Sequence, residues 1–385
     1  MKKEIREIVE QYAAEVKEEA EGLLEVLGRI PAPSHQEDAR AEFCRDWLLA
    51  HGAEDISVDS AKNVICKIGC DDSRELVVFM AHMDIVFPDT EPLAMKKEGR
   101  RLYAPGIGDD TSNLVNLLMA CRCLLERRPK LKMGILVVAN SCEEGLGNLK
   151  GCRQIFADYG SRIQAFYSFD GYLSQCTSCA VGSYRYQVRV KAEGGHSYLD
   201  FGNCNAIAVL ADLVGKIYRM EVPAQEKTTY NVGRFEGGTT VNSIAEEAVL
   251  LFEFRSSSQD CLKQMDERFT KLVESCTGDG FEMDTKLLGI RPGNGRLDQE
   301  ALARYTAKSV EIIQEFYSGR IDDGPYSTDA NIPLSMGIMG NTIGTVSGGN
   351  AHTREEWVDL DSLHTGLKIA LSLMLSYTSL GGQEQ

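Results

Sequence analysis

The sequence predicts an α/β fold, a three-layer sandwich interrupted by an inserted α+β unit of ferredoxin-like pattern. Short apolar runs alternate with helix-length amphipathic segments through roughly the first 180 residues. Near residue 181 the pattern changes to polar–apolar alternation, as in an antiparallel strand with one face in solvent. A Gly/Pro-bearing linker, RPGNGR at 291–296, then precedes a return to helix-length segments. At 385 residues the chain exceeds the usual size of one hydrophobic core. The expected division is a discontinuous domain, 1–180 with 292–385, and an insertion, 181–291.

Residues 4–28 have helical spacing. IPAPSHQEDARAEFCRDWLLAHGAE follows, with a Pro-rich turn, Ser34 as candidate N-cap, and Leu48 and Leu49 on an apolar face. VICKIG at 64–69 and ELVVFMA at 75–81 read as strands, the second apolar enough to lie at the centre of a sheet. A helix over 112–127 and a strand over 132–139 continue the alternation, which places functional residues on loops at the carboxyl ends of the strands. Beyond 181, a strand, helix 203–220, strands near 228–235 and 246–255, helix 258–276 and strand 281–289 spell βαββαβ. Helix 298–316, strand-like stretches to 357 and helix 361–379 complete the first domain.

Composition narrows the functions. Hydrophobic residues at 43% and charged residues at 25% are ordinary for a folded globular protein. A formal net charge of −16 argues against nucleic-acid or anionic-membrane partners, whose interfaces need clustered Lys and Arg. The N-terminal segment mixes acidic and basic residues where a signal peptide would be apolar, and no apolar run approaches the roughly 20 residues of a membrane span. Twelve irregularly spaced cysteines read as reduced thiols, so the expected setting is the cytoplasm. Cys176 and Cys179 form one CxxC, half of what a structural zinc site needs.

Five segments carry candidate chemistry. VVFMAHMDIV ends a buried strand with His82 and Asp84 two residues apart, both on one face; Asp84 can orient the imidazole or bind a backbone amide. In APGIGDDTSN, glycines let the chain turn so that Asp109 or Asp110 enters the same pocket, or caps the next helix. LVVANSCEEGLGN ends a strand with Glu143 and Glu144, which repel each other without a cation; one suits a metal ligand and the other a general base. FYSFDGY sets Asp170 just past a strand, and SGGNAHTREEW offers His352 in a Gly-rich loop. Two imidazoles and three carboxylates, from His82, Asp109, Glu144, Asp170 and His352, are enough for two ions sharing a carboxylate. The histidines favour zinc, cobalt or manganese over calcium, which takes oxygen.

AHMDIV, APGIGDD, SCEEGLGN, SFDG, GGHS, TTVNSI and GNAHTREEW, in this order, resemble the motifs of the zinc aminoacylase/carboxypeptidase G/peptidase T metallohydrolase family, peptidase T-like members above all. The resemblance covers nearly the whole chain and implies a zinc-exopeptidase-like catalytic domain with an inserted lid or dimerisation domain. It implies that His82, Asp109 and Asp170 hold one ion and Asp109, Glu144 and His352 the other, that Asp84 orients His82, and that Glu143 is the general base. His196 of EGGHS would reach the active site of a second subunit and stabilise the oxyanion, which implies a homodimer; Asn242 and Arg255 would contact substrate. Three departures stand out: Thr111 where a lysine is common, Cys142 before the glutamate pair, and Ala245 for a frequent proline. An exposed Cys142 would confer sensitivity to thiol reagents. Aspartate at 170, within SFDG, resembles peptidase T and the dipeptidases more than the desuccinylases, and this resemblance implies a short-peptide exopeptidase, a tripeptide aminopeptidase in the narrower reading, with an N-acyl-amino-acid or N-carbamoyl amidohydrolase as the alternative and a catalytically silent binding protein as the rival.

Overall fold

A computed structural model describes residues 1–381 of the chain. It divides into two compact units, Met1–Cys179 together with the segment from Arg296 onward, and Ala180–Gly295.

The first unit is built on a seven-stranded sheet. Every residue of strands Leu76–His82 and Gly134–Asn140 is buried, which the continuous Val/Leu/Ile/Ala runs demand: such strands need cover on both faces. In spatial order the strands are Ile56–Val58, Val64–Ile68, Gly134–Asn140, Leu76–His82, Ile163–Phe169, Met339–Ile343 and Cys176–Thr177. The four central strands are parallel and the flanking ones antiparallel. Val77, Phe79 and Ala81 pack into one core with helices Asn113–Arg127 and Leu360–Ser376. Phe166 packs on Phe156 of helix Lys150–Tyr159, with ring centroids 5.7 Å apart, on the other face. Each fully buried Leu or Phe in these layers contributes about 1.5–3 kcal/mol.

Register decides where the chemistry can lie. His82 stands opposite Asn140, and Phe169 opposite Ile343, so these parallel strands end at one edge of the sheet. A second, four-stranded antiparallel sheet pairs Arg101–Tyr103 with both Lys96–Glu98 and Trp357–Asp359, and the latter with Gly348–Gly349. It draws the loop after residue 103 against the loop before residue 357.

The second unit has four antiparallel strands in the order Thr228–Gly237, Glu247–Ser256, Gly182–Ala192, Phe281–Arg291, with helices Ala206–Ile217 and Gln259–Glu274. This is the ferredoxin-like βαββαβ arrangement. Glu247–Ser256 alternates strictly, burying Ala248, Leu250, Phe252 and Phe254 in a core with Leu210, Leu213, Met265 and Phe269. Asn205 and Ser258 cap the helices by accepting bonds from Ile207 and Ala208, and from Cys261.

Local structure departs from expectation near the N-terminus. The segment 4–28 is two helices, Lys3–Glu15 and Lys17–Leu27, broken at Val16 (φ −103°, ψ 11°). Ser34 caps nothing: the next helix is Asp38–Ala50, and the Ser34 hydroxyl is drawn into a carboxylate contact described below. Leu48 is buried but Leu49 is 48% exposed, because the helix presents a narrower apolar face than expected. Among the described residues no helix is long and apolar enough to cross a membrane.

Candidate metal centre

His82 is the last residue of a central strand, and its backbone N–H donates to Asp110 Oδ2 at 2.9 Å. The ring's Nδ1 lies 2.9 Å from the carbonyl oxygen of Asp84, which assigns the proton to Nδ1 and leaves Nε2 free to ligate. Nε2 faces Asp109 Oδ1 at 3.0 Å. The Asp84 carboxylate is fully buried and lies 3.5 Å from Nδ1; its closer partners are the backbone N–H groups of Glu143 (3.0 Å) and Glu144 (2.9 Å) and the Ser34 hydroxyl (2.6 Å). Of the two roles open for Asp84, the backbone one dominates: its side chain pins the Glu143–Glu144 turn, and its main chain orients His82.

The Asp109 loop is shaped by Glu356, four residues beyond His352 and marked by no strand end of its own. Fully buried, Glu356 accepts N–H bonds from Gly106 (2.8 Å), Gly108 (2.9 Å) and Asp109 (2.7 Å). Gly106 sits at φ 67°, where a Cβ would lie 2.3 Å from Ile85 Cγ2, so only glycine serves there. A cis peptide joins Asp109 to Asp110. Both Asp110 oxygens are engaged, Oδ2 by His82 N and Oδ1 by Asn113 Nδ2 at 2.6 Å, so Asp110 braces the loop, whereas the Asp109 carboxylate faces the imidazoles.

The remaining groups arrive from the other strand ends. His352 Nε2 lies 2.9 Å from Glu144 Oε1 and 3.2 Å from Asp109 Oδ2. Ligand atoms of His82, Asp109, Asp110 and Asp170 lie within 4.8 Å of one another, as do those of Asp109, Glu144 and His352, and those of His82, Glu143 and Glu144. All five expected ligands and Glu143 are thus brought together.

Charge tests whether ions fit. Burial, then the charge of Asp109, lifts the Asp170 carboxyl well above the usual carboxylate range. The same causes push Glu144 up to about 7 against the pull of His352, while Asp109 and Glu144 push His352 up to about 11. Burial opposes ionisation of Asp109, yet His352 and His82 hold it below its ordinary value. The cluster retains protons because its negative charge exceeds what two imidazoles neutralise. Divalent ions with mixed nitrogen and oxygen ligands fit that deficit.

His196, Asn242 and Arg255 belong to the second unit. Pairing of Gly195–His196 with Ser243–Ile244 sets EGGHS beside TTVNSI, and His196 Nδ1 accepts N–H bonds from Tyr198 (3.2 Å) and Leu199 (3.4 Å). Asn242 Oδ1 accepts from the Thr240 hydroxyl at 2.9 Å. Arg255 is engaged bidentately by Glu253 at 2.9 and 3.1 Å. Cys142 is not exposed: its sulfur sits 3.2 Å from both His35 Nδ1 and Glu37 Oε1, and burial, then Glu37, pushes the thiol up to about 12. Cys176 and Cys179 join no metal-capable group among the described residues. A further buried carboxyl, Asp329, bonds Asn140 Nδ2 at 2.6 Å and is pushed up to about 8 by burial and then Glu143; no local pattern in the sequence marks it. A cavity of about 770 Å³ beside Tyr167, Tyr305 and Tyr377 contains none of these residues.

Comparison with known proteins agrees with this geometry. Residues 78–376 match peptidase family M20/M25/M40. The YqjE protein of Bacillus subtilis (strain 168) is 23% identical over 320 residues, covering 80% of this chain and 83% of that protein. Among solved structures, a tripeptidase from Staphylococcus aureus superposes with a TM-score of 0.74 at 21% identity, covering 95% of this chain and 99% of that one. The aminopeptidase PepT from Bacillus cereus does so at 0.69 and 19%, with coverages of 95% and 99%. These likenesses establish the zinc-exopeptidase fold with its inserted α+β unit. The family match extends from the central strand that ends in His82 to the helix that closes the first unit, and the chain belongs to peptidase family M20/M25/M40, a family of metal-dependent hydrolases.

Proposed function

We propose that the chain is an exopeptidase dependent on two divalent ions, zinc or in its place cobalt or manganese, that cleaves short peptides as a tripeptide aminopeptidase. One observation carries this reading: the two carboxylate oxygens of Asp109 face different imidazoles, Oδ1 toward His82 and Oδ2 toward His352, as a bridging ligand requires. His82, Asp109 and Asp170 would hold one ion, and Asp109, Glu144 and His352 the other. Bound there, such ions would polarise the scissile carbonyl and lower the pKa of a water.

Glu143 takes the proton of the attacking water and passes it to the leaving amine. Its backbone is pinned by Asp84 and its carboxylate lies with His82 and Glu144, so it needs little rearrangement to act. Asp84 also sets the His82 tautomer through its carbonyl oxygen. The tripeptide preference is supported by the S. aureus tripeptidase and PepT likenesses and by aspartate at 170. A homodimer through the second unit, with His196 stabilising the oxyanion in the neighbouring subunit and Asn242 and Arg255 contacting substrate, is supported by exposed apolar side chains around these residues. Tyr198 is 84% exposed, Phe201 90% and Val241 fully. A cytoplasmic setting is supported by twelve free thiols.

The test is hydrolysis of di- and tripeptides and N-acetyl amino acids by purified protein with zinc, cobalt or manganese, beside Glu143→Ala. Release of the N-terminal residue from tripeptides, lost in a variant that still binds ions, is the expected outcome. Cleavage of acylated amino acids alone would transfer the same site to an amidohydrolase, and no cleavage with any ion would refute an enzyme of this kind.

A further inference from the structure

The acidic cluster has a buried cation that belongs to none of the ligand motifs. Arg40, on helix Asp38–Ala50, is completely shielded from solvent. Its Nε donates to the carbonyl of Ile30 at 2.8 Å, and its Nη1 donates to the carbonyl of Met83 at 2.8 Å and to the Thr111 hydroxyl at 3.1 Å. Met83 lies between His82 and Asp84, and Thr111 follows the Asp109–Asp110 pair, so one guanidinium spans two loops that carry the cluster. Its Nη2 is buried without a hydrogen-bond partner, and the carboxylates acting on it are Asp84 and Asp110. Burying a guanidinium among neutral acceptors is costly unless nearby charge compensates it.

We propose that Arg40 is the built-in counter-cation of this site, a positioning residue whose charge faces Asp84 and Asp110 and whose fork holds together the two loops that carry the cluster before any ion binds. The position two residues after Asp109 is a hydroxyl, Thr111, and the positive charge reaches it from a different helix. Burial pushes the guanidinium down to about 10, so it stays charged at neutral pH. Those of the buried carboxylates that ionise repel one another, and divalent ions bound among them would offset that charge in place of Arg40. Arg40 therefore matters most in the metal-free protein, whereas a residue that only packs and hydrogen-bonds matters equally in both states. The metal-bound half of this inference rests on the two-ion reading; the metal-free half rests on the carboxylates alone.

The experiment is thermal unfolding of wild type, Arg40→Met and Arg40→Lys, each stripped with chelator and then titrated with zinc. Without ion, Arg40→Met is expected to melt about 5–10 °C below wild type, and with saturating zinc by less than half of that. Arg40→Lys, which keeps the charge and loses the fork, is expected to recover most of the metal-free loss. Equal losses with and without zinc, or no recovery by lysine, overturn the proposal. A wild type whose melting does not rise with zinc refutes the two-ion reading instead. If Arg40→Met is not recovered folded, Arg40→Met/Thr111→Lys decides: it returns a cation to the far end of the same hydrogen bond, and its failure to fold overturns the charge role.

Discussion

Replacing Glu356 by alanine tests how the Asp109 loop is held. The side chain is fully buried and accepts three backbone N–H bonds, from Gly106, Gly108 and Asp109, at 2.7–2.9 Å. Removing it strands three donors, each of which costs about 1–3 kcal/mol if left unmet. Water entering the vacated space offsets part of that, so the expected net loss is about 3–5 kcal/mol, enough to unfold much of a marginal domain. The loop would also relax: Asp109 would lose the bond that fixes its backbone, and a displacement near 1 Å costs about a hundredfold in rate. Urea unfolding of the stripped protein and zinc affinity by chelator competition measure the two effects. An unfolding free energy within about 0.5 kcal/mol of wild type, together with unchanged zinc affinity, would refute the argument that Glu356 shapes this loop.

Four further outcomes are expected. Asp109→Asn removes the charge shared by both imidazoles, so bound zinc measured by elemental analysis should fall from two ions to fewer than one, whereas loss of a single ion would argue against bridging. Ions compete with protons on raised groups, Glu144 at about 7 and His352 at about 11, so apparent zinc affinity should rise with pH from 5 to 8; a flat profile would contradict the protonated cluster. In the metal-free protein the sign reverses for stability. The Glu144 contribution is fully present below about 4.5 and is lost as pH climbs toward 7, which urea midpoints at several pH values would register. Cys142, shielded and with its thiol pushed up to about 12, should stay unlabelled by iodoacetamide in the native protein and react only after denaturation, as read by peptide mass spectrometry.

Much of the site was legible because chemistry lies where patterns end. His82, Glu143, Glu144 and Asp170 each follow an apolar run, and parallel strands in register carry such run ends to one edge of a sheet. Asp109 and Asp110 could not be separated by the spacing alone, since both occupy one turn; only their bonds show that Asp110 is tied to the His82 amide and Asn113 while Asp109 faces both imidazoles. Ser34 read as a helix cap because serine before an apolar stretch usually is one, yet the stronger acceptor was a buried carboxylate 50 residues away.

The sequence by itself determined the class of fold, the inserted βαββαβ unit and which acidic and imidazole side chains gather at the strand ends, because periodicity and residue chemistry are local properties of the chain. Tertiary structure alone decided how those side chains are held. Glu356 meets Gly106 across 250 residues, Asp84 turns from His82 to the amides of Glu143 and Glu144, and Arg40 brings its charge from a different helix. Such pairings leave no periodic trace, since a buried donor or charge takes whatever partner the packed layers bring within reach.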